Sequence, residues 1–201
     1  TSYPLANFGL VVNRTGSDHR VGTMEKTMNM HKTIGAGIIL LLGAAFGALA
    51  QDEPTDPQIA HIAYTAGMID IEAATLALSQ SSNEAVTNFA QSMLDDHKAV
   101  NQQAVALLEK LGVTPEDNPT SRMLISAAEE NRAELAELEG DAFDRAYVGN
   151  EVAYHQQVND ALQNLLIPSA ENAELKRLLE TGLKLFRGHQ LHAEHVMEGL
   201  K

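Results

Sequence analysis

Several histidines and glutamates of this 201-residue chain stand near the middle of long helical patterns, where a packed seam would ordinarily carry apolar side chains. His97 interrupts the stripe of residues 82 to 112, in which Val86, Phe89, Ala90, Met93, Val100, Ala104, Leu107 and Leu111 recur at steps of three and four. Glu151 and His155 lie one helical turn apart and point the same way, on the flank of a stripe that includes Phe143, Tyr147, Tyr154 and Val158. His189 falls in line with Leu175, Leu178, Gly182, Leu185 and Val196. Glu72 sits at the edge of a face made by Ile59, Ile62, Ala66, Ile69, Ala73 and Leu76. Neutral imidazole nitrogen suits zinc, copper, iron or nickel, and carboxylate oxygen completes such a sphere, so a transition metal fits this set better than magnesium or calcium. His192 serves as a reserve near the edge of the last face, whereas His195 rotates away towards solvent. The expected ligands are therefore Glu72, His97, Glu151, His155, His189 and His192, and the candidate ions are zinc, copper and iron. Asp96, Asp144 or Tyr147 could hold the second nitrogen of an imidazole and fix its tautomer. Met93 could offer copper a soft sulfur, although seam methionines usually pack.

Bringing these residues together is a task for helices. Asp56-Pro57 reads as a cap followed by a first-turn proline and opens a helix to about Gln80. Ser81 and Glu84 have capping-box spacing for a second helix, which Gly112 closes with Pro115 beyond it. A shorter helix is predicted from about Pro119 to Leu138, and Asp141 caps another that Pro168 stops near Leu166. The last helix begins near Asn172. Four long helices and one short one predict an all-α, ferritin-like four-helix bundle, with the short extra helix carrying a long crossover from one end to the other. An up-down bundle of five short-looped helices is the competing arrangement. In either case a residue at a helix midpoint stays at mid-height, and the midpoints fall near residues 69, 97, 154 and 186. The expected ligands thus share one level.

Composition narrows the setting. Cysteine is absent, which excludes disulfides, thiolate nucleophiles and iron–sulfur ligation. Residues 24 to 50, MEKTMNMHKTIGAGIILLLGAAFGALA, have the basic start, apolar middle and Ala-Leu-Ala end of a cleaved signal peptide, which gives a periplasmic or secreted address. Residues 1 to 23 read as an upstream extension outside the fold, with translation starting at Met24, and residues 51 to 201 as the bundle domain. That domain carries ten basic and twenty-five acidic residues, a net charge of −15. Nucleic acid and anionic lipid need clustered Lys and Arg, so neither is an expected partner, and no stable membrane insertion is expected after signal cleavage.

The runs SNEAVTNFAQSMLDDHKAVNQ and AFDRAYVGNEVAYHQQV, followed by the histidine-containing last helix, resemble a secreted bacterial ferritin-like family labelled domain of unknown function 4142, whose members often carry the label outer membrane protein. The resemblance spans about residues 58 to 200 and implies a ferritin-like bundle and export; it brings no catalytic residues. A di-iron carboxylate site needs glutamate three residues before histidine on two helices. Leu94, Val152 and Phe186 occupy those positions here, which argues against ferroxidase or oxygen-activating chemistry. The expectation is an exported, non-enzymatic bundle that binds a transition metal at mid-height. Its rival is a stress-linked interaction or scaffold protein whose histidines only satisfy the core.

Overall fold

The computed structural model describes residues 53–200, which fold into helices with no strand among them. α1 (Asp56–Gln80) and α2 (Glu84–Leu111) are joined by three residues and pack along their length as an antiparallel hairpin. α3 (Pro119–Ala136) follows and lies against α1. α4 (Gly140–Ala161) pairs closely with α5 (Ala173–Gly199), while α2 packs on α5 and α1 on α4. Four long helices therefore share the core, and α3 covers one side of it. The expected extension at 1–23 and signal peptide at 24–50 lie outside the described residues. No described helix is long and apolar enough to cross a membrane.

Hydrogen bonds at both ends of α3 show how far it carries the chain. Before its start, Asn118 Nδ2 donates to the Gln58 carbonyl, and the Glu116 N–H donates to the Pro57 carbonyl at the beginning of α1. Beyond its finish, Gln80 Nε2, at the end of α1, donates to the Leu138 carbonyl. The segment between α2 and α4 thus travels the length of α1, so α2 and α4 run in the same direction.

The helix limits follow local chemistry, with some reassignment of caps. Asn83, not Ser81, caps α2: its Oδ1 accepts the N–H groups of Ala85 and Val86, while Ser81 Oγ accepts the Asn83 N–H. Gly112 ends α2 with φ 66°, a left-handed conformation that glycine adopts without a Cβ penalty. Thr55 holds the cap position of α1, which frees Asp56 for a distant task. Its two carboxylate oxygens accept the N–H groups of Glu171 and Asn172, at 2.9 and 2.8 Å, and so tie the start of α1 to the start of α5. Asp141 falls inside the first turn of α4 instead of capping it, because Glu139 takes the cap position and Gly140 turns the chain at φ 54°. α4 does not stop at Ala161. It runs on through a π turn, Leu162–Leu166, and a last short turn to Ser169. The wider turn precedes Pro168, whose ring would otherwise crowd the carbonyl one turn back.

Two apolar clusters make up the core. One holds Ile59, Ile62, Ala66, Tyr154, Val158, Leu162, Leu175, Leu179 and Phe186. The other holds Ala73, Ala77, Val86, Phe89, Met93, Tyr147, Val148, Ala193 and Val196. Along each long helix the break between the two falls at a polar residue. Asp70 separates Ala66 from Ala73, His97 follows Met93, Glu151 follows Val148, and His189 lies between Phe186 and Ala193. A buried polar layer divides the core at mid-height.

Candidate metal centre

Each helix contributes to that layer through its seam. On α5 the buried residues Leu175, Leu179, Gly182, Phe186, His189, Ala193 and Val196 alternate steps of four and three, one residue away from the line through Leu178 and Leu185 that bulk alone suggests. His189 therefore points inward by register. His97 does the same on α2, between Met93 and Asn101, and Phe186 stacks on its ring with centroids 4.8 Å apart and planes 6° from parallel. On α4 both Glu151 and His155 are 1% exposed.

The three imidazoles converge. Ring centroids of His97 and His155 are 5.7 Å apart, those of His97 and His189 5.2 Å, and those of His155 and His189 5.3 Å. One nitrogen from each ring lies within 4.8 Å of the other two. A second triad within the same limit combines His155 with the carboxylates of Asp70 and Glu151. His97 Nε2 is 3.4 Å from Asp70 Oδ2, too poorly aligned to bond.

The outer nitrogens are held in the way metal-binding histidines require. His155 Nδ1–H donates to the Glu151 carbonyl at 3.0 Å, which sets the tautomer that leaves Nε2 with a lone pair. His189 Nε2–H donates to Asp96 Oδ2, also at 3.0 Å, and leaves Nδ1 free. Those free atoms, His155 Nε2 and His189 Nδ1, are buried without a hydrogen-bond partner, as are both nitrogens of His97, Asp70 Oδ1 and Glu151 Oε2. Buried polar atoms are nearly always satisfied, so a cluster of such atoms in one layer is a set that could hold a cation. The residues fit a transition metal in donor type, tautomer and depth.

Electrostatics agree on the imidazoles. Burial, reinforced by the charges of His155 and His189, pushes His97 well below the usual histidine range. Burial and the neighbouring His189 bring His155 down to about 3. Burial lowers His189 as well, against the opposing pull of Asp96. All three are neutral at pH 7, the form that binds metal. The carboxyls move the other way. Burial and then the charge of Glu151 raise Asp70 well above its ordinary value, and burial raises Glu151 to about 7 despite its bonds to Asp70 and Asn150. Without a cation, this pair keeps a proton near neutral pH.

Two expected ligands lie elsewhere. Glu72 is 200° around α1 from Asp70 at 100° per residue; it is 47% exposed and pairs with Arg132 Nη1 at 2.7 Å, so it does not reach the layer. His192 is exposed and sets its ring edge-on to Phe89 at 5.1 Å, one turn above the centre. Asp70 takes the place given to Glu72. Its signal was present, since it stands four residues after Ala66 and three before Ala73, but the larger Ile69 drew the stripe one position aside. Of the second-nitrogen partners, Asp96 takes that role for His189, whereas Tyr147 and Asp144 are buried with the Tyr147 hydroxyl and Asp144 Oδ1 unpartnered. Met93 packs in the upper core.

Comparison with known proteins adds a family. A model of the domain of unknown function DUF4142 matches residues 43–196. The chain belongs to the DUF4142 family. No curated protein matches the chain significantly, and neither does any solved structure. The DUF4142 match spans every residue of the polar layer, from Asp70 to His189.

Proposed function

We propose that this DUF4142 protein is an exported, ferritin-like helical bundle that binds one transition-metal ion through His97, His155 and His189, with Asp70 and Glu151 completing the sphere. The supporting observation is the set of unpartnered polar atoms on four helices, all buried and all turned into one layer. A scaffold whose histidines only satisfy the core would pair those atoms with one another or with the backbone. The place of α3, packed mainly on α1 outside a core shared by four long helices, supports the ferritin-like reading over an up-down bundle of five, and the leader pattern at residues 24 to 50 supports export.

Three neutral imidazoles and two carboxylates suit zinc, copper or iron. The bound ion would neutralise the carboxyl pair and supply a Lewis-acid centre in a water-poor layer. His155 and His189 orient their donor nitrogens through the Glu151 carbonyl and Asp96, and α4 holds Glu151 and His155 in fixed relation one turn apart. The role is binding or sensing rather than turnover.

Titration of metal-free protein with zinc, copper or ferrous iron, followed by calorimetry and elemental analysis, tests the reading. One equivalent should bind, and Asp70→Asn should weaken binding by 10-fold or more while Glu72→Gln leaves it unchanged. Equal losses in the two variants, or no stoichiometric uptake of any of the three ions, would falsify it.

A further inference from the structure

Below His97 the core is not closed. A cavity of about 50 Å³ lies among the long helices, with Asp70, His97 and Asn101 at its polar end and apolar side chains such as Val100, Leu179 and Phe186 around the rest. Small residues make the room: Ala66 on α1, Ala104 on α2 and Gly182 on α5 line it at positions where a helix seam ordinarily carries leucine. Small residues alone would mark nothing. Here His97, 2% exposed, faces the same space with both ring nitrogens unpartnered, and so does Asp70 with its free Oδ1.

We propose that this cavity is a binding site for a small, uncharged, apolar molecule of two to four heavy atoms, a dissolved gas or short alkyl compound, held against the His97 face of the metal centre. The inference rests on the metal-binding reading for its second half only. An apolar cavity of about 150 Å³ takes up benzene or xenon, so one of about a third of that size admits a guest of a few heavy atoms. Water needs two to four polar partners, so it is a poor occupant of the apolar part of the chamber, away from the one end where Asp70 and His97 stand. The wall offers few. Asn101 Nδ2 is committed to the Tyr64 carbonyl at 3.3 Å, and the remaining polar atoms belong to the metal centre. Residue 67, where Asn101 crosses to α1, is glycine, and a Cβ there would crowd the Asn101 amide. The bridge holds α1 and α2 together beside the cavity without filling it. A metal held by His97 would therefore have an apolar, selective chamber on one side, open to neutral molecules and closed to ions.

Methyl NMR of the metal-free chain under xenon pressure tests the cavity by itself. Saturable shifts should be confined to methyls of its wall, those of Ala66, Val100 and Leu179 among them. Ala104→Phe, placed two turns from His97 to fill the chamber, should abolish those shifts while zinc uptake stays at one equivalent; Ala104→Leu, a smaller filler, should reduce them and serves if the first variant does not fold. In zinc-loaded protein the xenon-responsive set should extend to the His97 ring protons. Scattered or absent shifts in the parent, or shifts unchanged in the filled variant, overturn the site. Xenon shifts at the wall with no zinc uptake overturn the link to the metal and leave the cavity standing, which separates the two failures.

Discussion

Leaving one buried polar group unpartnered costs about 1–3 kcal/mol, and this layer contains six such atoms on five side chains, five acceptors and the one N–H of neutral His97. A chain that folds with them must either recover the cost on binding or carry it as protonation, and the carboxyl pair does the latter. Glu151 is raised to about 7 and Asp70 is raised with it, so the folded metal-free protein holds protons that an unfolded chain releases near pH 4. That contribution to stability is present at low pH and is lost as pH rises through about 7. The histidines act oppositely: His155, lowered to about 3, stabilises above the unfolded value near 6.5 and loses its contribution as pH falls towards 3. His97 and His189 share that direction. The slopes oppose each other between roughly pH 4 and 6.5, and above that the carboxyls act alone. Glu151→Gln removes one of them. In metal-free protein it should raise stability at pH 8 relative to pH 5, on the order of 3 kcal/mol at most, as read by urea unfolding at both pH values. An offset that is the same at both would contradict the assignment. At this scale the sequence disclosed the histidines and Glu151, because a polar residue on an apolar stripe is conspicuous. It disclosed Asp70 poorly, since a neighbouring isoleucine offers a stripe almost as good and only the packing of α1 against α4 decides between them.

At the scale of elements, periodicity and punctuation located the helices to within a few residues, and the reassigned caps share one cause. Asp56 looks like a local cap because aspartate before proline usually is one. Its carboxylate instead serves backbone N–H groups at residues 171 and 172, more than a hundred positions away, which no local pattern can reveal. This contact fixes where α5 starts relative to α1, and hence the height of His189 relative to the level of Asp70. Asp56→Ala should cost about 1–2 kcal/mol in chemical denaturation, in the range of a lost cap. It should also loosen metal affinity modestly without touching a ligand. A variant with unchanged stability would mean that the bond does not secure the ends. The π turn after Ala161 was equally hidden, although Pro168 announced that α4 could not continue unaltered.

For the described part of the molecule, the defining feature is a core cut in two. The cluster around Phe89 buries side chains from α1, α2, α4 and α5, the one around Tyr154 buries them from α1, α4 and α5 with Val100 and Leu107 of α2 packed against it, and the polar layer between them is the level where all four must agree in height. Depth could be foreseen because a midpoint is independent of helix direction, so the caps alone placed His97, His155 and His189 together. Convergence could not, because it depends on the rotation of each helix about its own axis, and an error of one residue turns a side chain by 100°. The most direct measurement is the X-ray absorption spectrum of the zinc-loaded protein, which counts imidazoles on the ion through their multiple scattering. Three histidines at about 2.0–2.1 Å, with oxygen filling the remaining positions, are expected. A spectrum with one imidazole or none would contradict a centre shared by His97, His155 and His189.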